Sequence, residues 1–173
     1  MRLSSFETIV RALNGADVRY LVVGGVAVNA YGYGRSTYDV DMVLSLDREN
    51  IARAFTVLRE SGYEPILPVT SEQFMDRETR ERWHREKGMI VLQLGGDLHR
   101  DTPLDLFVQE PFDFAEEYAA AVWQEVAPGV EVPLIRLETL LAMKRASGRP
   151  KDLADLDELS LLYGKPSSYD EPS

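Results

Sequence analysis

GGVAVNAYGYGRSTYDVDMVL, residues 24–44, decides how this chain is read. It divides into a glycine turn, a short helix over 26–32 limited by Gly32 and Gly34, and a strand over about 39–45 that carries Asp39 and Asp41. Side chains two apart on a strand share a face. Both carboxylates therefore point one way, while Val40, Met42 and Leu44 point the other. The Cα atoms of such a pair stand roughly 7 Å apart. With the charges about 6 Å apart and an effective dielectric near 20, the repulsion is on the order of 2–3 kcal/mol. A cation between the carboxylates removes that cost. Just upstream, the β-rich run VRYLVV, 18–23, enters Gly24-Gly25. A strand-to-helix turn without side chains offers free backbone N–H groups to a phosphate, helped by the helix dipole. The segment thus reads as a divalent-metal site beside a phosphate-binding turn.

Working outward, Ser4 and Glu7 have capping-box spacing ahead of the apolar stripe Phe6, Ile9, Val10 and Leu13, a helix that Gly15 ends. Asp47 is placed to cap a helix running to about Ser61, with Leu46 and Ile51 as its hydrophobic staple. Residues 63–88 resist assignment because Pro65 and Pro68 interrupt them; RETRERWHREK, 77–87, reads as a solvated helical or mobile segment. MIVLQL, 89–94, and PLDLFVQ, 103–109, are strand-like, with GGDLHRD between them as a hairpin turn. A helix over 113–122, a strand pair over 123–135 turning at Pro128-Gly129, and helices over 137–147 and 150–162 follow. The tail from Gly164 has the composition of a disordered segment.

Asp105 is a lone carboxylate among Leu104, Leu106, Phe107 and Val108. If its strand lies beside that of Asp39 and Asp41, three carboxylates converge, enough to hold one or two Mg²⁺ ions and activate a hydroxyl. The remaining composition narrows the options. At 173 residues, 45% hydrophobic and 28% charged, the chain suits one domain with a real core. A net charge of −10 argues against broad nucleic-acid binding. Without cysteine there are no disulfides or thiolate metal sites. No apolar run reaches membrane-spanning length, and the start lacks a signal peptide's apolar stretch, so the expected address is cytoplasmic, with no membrane partner. The G-x-G-x-x-G fingerprint is absent. His84 and His99 are expected at the surface, and Trp83 and Trp123 in the core or an interface.

Gly24, Gly25, Ala27, Gly32, Arg35, Thr37, Asp39 and Asp41, with Asp105 downstream, resemble the signature of the DNA polymerase β superfamily of nucleotidyltransferases. The resemblance is to small bacterial members of the AbiEii toxin-like branch, to which LLAMKRASGRPKDLADLDEL, 140–159, is also similar. It implies an α/β (α+β) fold, a mixed sheet flanked by helices, with a catalytic core over 1–135 and a C-terminal helical hairpin over 136–163. It also implies transfer of a nucleoside monophosphate from an NTP to a hydroxyl acceptor (RNA, protein or small molecule), with release of pyrophosphate. Asp39 and Asp41 would bind two Mg²⁺ ions, with Asp105 on the catalytic one. Gly24, Gly25, Arg35, Thr37 and Lys144 would serve the nucleotide, Lys144 as a cation on the triphosphate. Arg35 is also read as a brace for Asp39 or Asp41, and Asp152 and Asp155 as structural partners of Lys144, Arg149 or Lys151. A toxin with a cognate antitoxin partner is one form of this function. The alternative is a non-catalytic nucleotide-binding or interaction module with a vestigial site, raised by Gly25 standing where many relatives have serine.

Overall fold

The computed structural model describes residues 1–164. In chain order the elements are α1 (Leu3–Gly15), β1 (Tyr20–Val23), α2 (Gly24–Ala30), β2 (Val40–Leu44), α3 (Arg48–Glu60) and β3 (Glu64–Pro65). Then come α4 (Ser71–Met75), α5 (Arg77–Lys87), β4 (Val91–Gly95), β5 (Leu104–Phe107) and α6 (Phe114–Ala119). β6 (Val122–Ala127), β7 (Val130–Leu134), α7 (Leu137–Ser147) and α8 (Pro150–Tyr163) complete the fold. The seven strands form one mixed sheet in the order β3-β4-β5-β2-β1-β7-β6. β2 runs antiparallel to β1 and parallel to β5, and β1 is parallel to β7.

Strand alternation sorts the core into two layers. Val40, Met42 and Leu44 join Phe6, Ile9, Leu13 of α1 and Ile51, Leu58 of α3 on one face. Leu21, Val23 and Val43 meet α2, α7 and α8 on the other. The second face is the one on which Asp41 lies. The helical hairpin forms as expected: Gly148 leaves α7 in a left-handed conformation (φ 61), and Pro150 opens α8 where a missing N–H costs nothing. Among the described residues no helix is long and apolar enough to cross a membrane.

Several expectations change. Ser4 and Glu7 do not form a capping box. α1 begins earlier, at an Arg2 cap without a side-chain bond, held by Arg2 N–H donating to Thr102 Oγ1 at 2.7 Å, and Glu7 pairs with Arg11 instead. The α3 cap is as expected, with Asp47 accepting from Asn50 N–H at 2.9 Å. Residues 63–88 are ordered, holding β3, α4 and α5. The arginine-rich helix α5 is not wholly solvated, because Arg80 and Trp83 are buried and the Arg80 guanidinium donates to the Phe74 carbonyl. β4 and β5 do pair antiparallel as the expected hairpin, and the link between them contains a 3₁₀ turn at Asp97–His99. Trp123 is exposed on edge strand β6, whereas Trp83 is core. His84 and His99 are half-buried and hydrogen-bonded rather than free at the surface. The expected disordered tail lies outside the described residues except for Gly164, which ends α8 at φ 61.

Candidate active site: three aspartates beside a diglycine turn

The sheet register brings the acidic groups together. Asp41 sits opposite Asp105 on the parallel pair β2–β5, so both project to one face, and Asp39 lies two residues earlier on the same side. One oxygen from each of the three carboxylates lies within 4.8 Å of the others. Asp39 and Asp41 are half-buried and Asp105 is buried. On the next strand, Gln93 faces Asp105 and donates from Nε2 to Oδ1 at 2.8 Å. Gln93 was missed by sequence reasoning; the signal was a polar residue inside the apolar strand MIVLQL. Across four strands the row therefore reads Gln93, Asp105, Asp41, Val23, ending at the glycine turn.

The cluster carries unrelieved charge. Burial pushes the Asp41 carboxyl up to about 6, the charges of Asp39 and Asp105 push the same way, and the fields of Lys144 and Lys151 offset part of this. Burial also raises Asp105, while the Gln93 hydrogen bond opposes the rise and Asp39 adds to it. Of these two cations Lys144 is engaged elsewhere, as described below. Three hard oxygen donors this close, without an ion pair among the described residues, fit a divalent cation such as Mg²⁺.

The two glycines of the turn are required for different reasons. Gly24 has φ 61, and a Cβ there would fall on the Asp41 carboxylate. At Gly25, a Cβ would fall on Thr37 Oγ1 and lie 3.0 Å from Thr37 Cβ. The serine common at this turn in the resembled superfamily has no room here, since the Thr37 hydroxyl occupies its space. That hydroxyl lies 3.3 Å from the Asp39 carbonyl and 3.5 Å from Asp39 Oδ1.

Arg35 and Lys144 stand differently from their sequence reading. Arg35 braces neither Asp39 nor Asp41; its Nε and Nη2 form a bidentate pair with Asp155 at 2.5 and 2.7 Å. Lys144 is buried; its Nζ lies 2.7 Å from Asp152 and 2.8 Å from Asp155. Asp152 also accepts from Arg149 at 2.6 Å and from Ser147 at 2.8 Å. The resulting network ties the loop after α2 to both helices of the hairpin. Asp152 and Asp155 thus have the structural partners expected of them. Lys151 is exposed, makes no ion pair among the described residues, and has a field felt at both Asp41 and Asp105.

This sheet, with an acidic row at one end and a helical hairpin across it, is the nucleotidyltransferase fold. Three solved structures show the likeness. The antibiotic-resistance factor ANT(2'')-Ia matches over 94% of this chain and 84% of its own, with TM-score 0.61 and 14% identity. An antigenic nucleotidyltransferase-like protein from Paracoccidioides brasiliensis matches over 92% and 75%, with TM-score 0.56 and 19% identity. The lincosamide antibiotic adenylyltransferase LnuA, bound to lincomycin, matches over 91% and 95%, with TM-score 0.54 and 15% identity. No family model and no curated protein matches the sequence.

Proposed function

We propose that the protein is a Mg²⁺-dependent nucleotidyltransferase of the EC 2.7.7 type, moving a nucleoside monophosphate from an NTP to a hydroxyl acceptor. The observation that carries this reading is the approach of Asp39, Asp41 and Asp105 to within 4.8 Å beside the diglycine turn. Divalent ions held by these carboxylates would neutralise triphosphate charge and lower the pKa of the attacking hydroxyl. The chain's own groups supply the rest. Asp105, oriented by Gln93, takes the proton of the acceptor hydroxyl. The acceptor oxygen then bonds to the α-phosphorus as the α–β phosphoanhydride bond breaks, and pyrophosphate leaves with the electron pair. Backbone N–H groups of the Gly24-Gly25 turn and the Thr37 hydroxyl hold phosphate oxygens, so Thr37 replaces the missing serine. Lys151, without an ion pair among the described residues, is the cation for the triphosphate; Lys144 and Arg35 act as positioning residues, holding the hairpin against the turn.

LnuA gives this fold a precedent for a small-molecule acceptor. Incubation with each labelled NTP, Mg²⁺ and a cell extract tests the proposal: transfer of label, lost in Asp39→Asn, supports it. No transfer with any NTP, together with no metal-dependent NTP binding, would refute it. The toxin form, with an antitoxin partner, adds a further expectation of growth arrest on expression that Asp41→Ala abolishes.

A further inference from the structure

A cavity of about 540 Å³ opens on the Asp105 side of the acidic row. Three of its wall residues touch the site by sequence or by contact. Tyr38 precedes Asp39, Pro103 lies two residues before Asp105, and Gln93 donates to Asp105. Glu64 and Ile66 enclose it from the far edge, and Asp97 from the loop after β4. The floor is fixed. His99 stacks on Tyr63 at 4.5 Å, and its two ring nitrogens lie 2.9 Å from Ser5 Oγ and the Ser61 carbonyl. Tyr38, on the wall, donates to the Arg100 carbonyl at 3.1 Å.

Position assigns the role of this cavity. In-line phosphoryl transfer needs the attacking and leaving oxygens on opposite sides of phosphorus. Along the row, the phosphate-binding turn flanks the carboxylates at the β1 end and the cavity flanks them at the β4 end. The walls assign the ligand. Tyr38 and Ile66 are 62% and 61% exposed and offer flat and apolar surfaces to a ring. Glu64 makes no ion pair among the described residues. The cation on the wall, Arg100, is paired with Asp97 at 2.7 Å. Among the described residues lining the cavity, a polyanion would meet two carboxylates, Glu64 and Asp97, against one guanidinium, Arg100. The volume lies within the range of about 300–1,000 Å³ usual for small-molecule sites.

Resting on the nucleotidyl-transfer reading, we infer that this cavity is the acceptor site and that the acceptor is a small, hydroxyl-bearing organic cation. The test uses full-length protein and three sugars matched in size: D-glucosamine with its amine charged, D-glucose and D-glucuronate, beside a short oligoribonucleotide. Amide NMR signals of Ile66, Gly95 and Gly96 are expected to shift, with affinity falling from glucosamine to glucose to glucuronate. Glu64→Lys, at an exposed position, should weaken glucosamine by about fivefold. Equal response to all three sugars, no shift at those amides, or a stronger response to the oligoribonucleotide overturns the inference. In the same samples Mg²⁺-dependent NTP binding is read at Gly24 and Gly25. Its failure alone counts against nucleotidyl transfer, and failure of the sugar series alone counts against the acceptor assignment.

Discussion

Gly24 and Asp41 form one packing unit: the carboxylate lies over a Cα that can carry no side chain. Gly24→Ala should therefore move Asp41 and lower transfer by about 100-fold, the loss that misplacing a reacting group by about 1 Å can bring. The adjacent pair gives a sharper test. Gly25→Ser alone collides with Thr37, whereas Gly25→Ser with Thr37→Gly makes room for the new hydroxyl. The double variant is expected to recover much of the activity that the single one loses, measured as kcat/KM. Asp41→Asn should have two opposite effects. It removes mutual repulsion in the ion-free protein, raising Tm in EDTA by a few degrees for about 1 kcal/mol gained. It should also abolish the Tm rise that Mg²⁺ with NTP gives the wild type. The aspartates were legible because each stands as a polar residue in an apolar strand. The partners of Arg35 and Lys144 were not, because a sequence shows a charge without showing which distant charge it meets.

At the level of elements, the α7–α8 hairpin rests on buried charge. Removing Lys144 would leave Asp152 and Asp155 buried without their shared cation, a loss of about 3–5 kcal/mol for a broken buried pair. Lys144→Met is expected to lower the urea midpoint accordingly, and adding Asp152→Asn should restore part of it. Burial raises the Asp152 carboxyl, but hydrogen bonds from Lys144, Arg149 and Ser147 outweigh it and hold the group at about 2. With the folded value below the unfolded one, its contribution is fully present above about pH 4 and fades as pH falls towards 2. The stability gap between wild type and Asp152→Asn should shrink across that window in urea titrations. The hairpin was readable because Gly148 and Pro150 mark its corner. The α4–α5 region was not, since Pro65 and Pro68 break the pattern and the buried stripe of α5 includes Arg80, whose charge hides the helical period.

Across the whole molecule, the central fact is a long-range register: residues 41 and 105, separated by three helices and two strands, stand opposite each other on parallel strands. Local sequence pattern identified these strands and the mixed α/β class, while the insertion of β1 between β2 and β7 depends on pairings that no local signal encodes. The account requires that this register create one shared ion site. Mn²⁺ titration by electron paramagnetic resonance, with a non-hydrolysable NTP analogue and with wild-type and Asp105→Asn protein, reads it most directly. The expected result is tight Mn²⁺ uptake that depends on the analogue in the wild type and is weakened at least tenfold in the variant. Equal uptake by both proteins would contradict it.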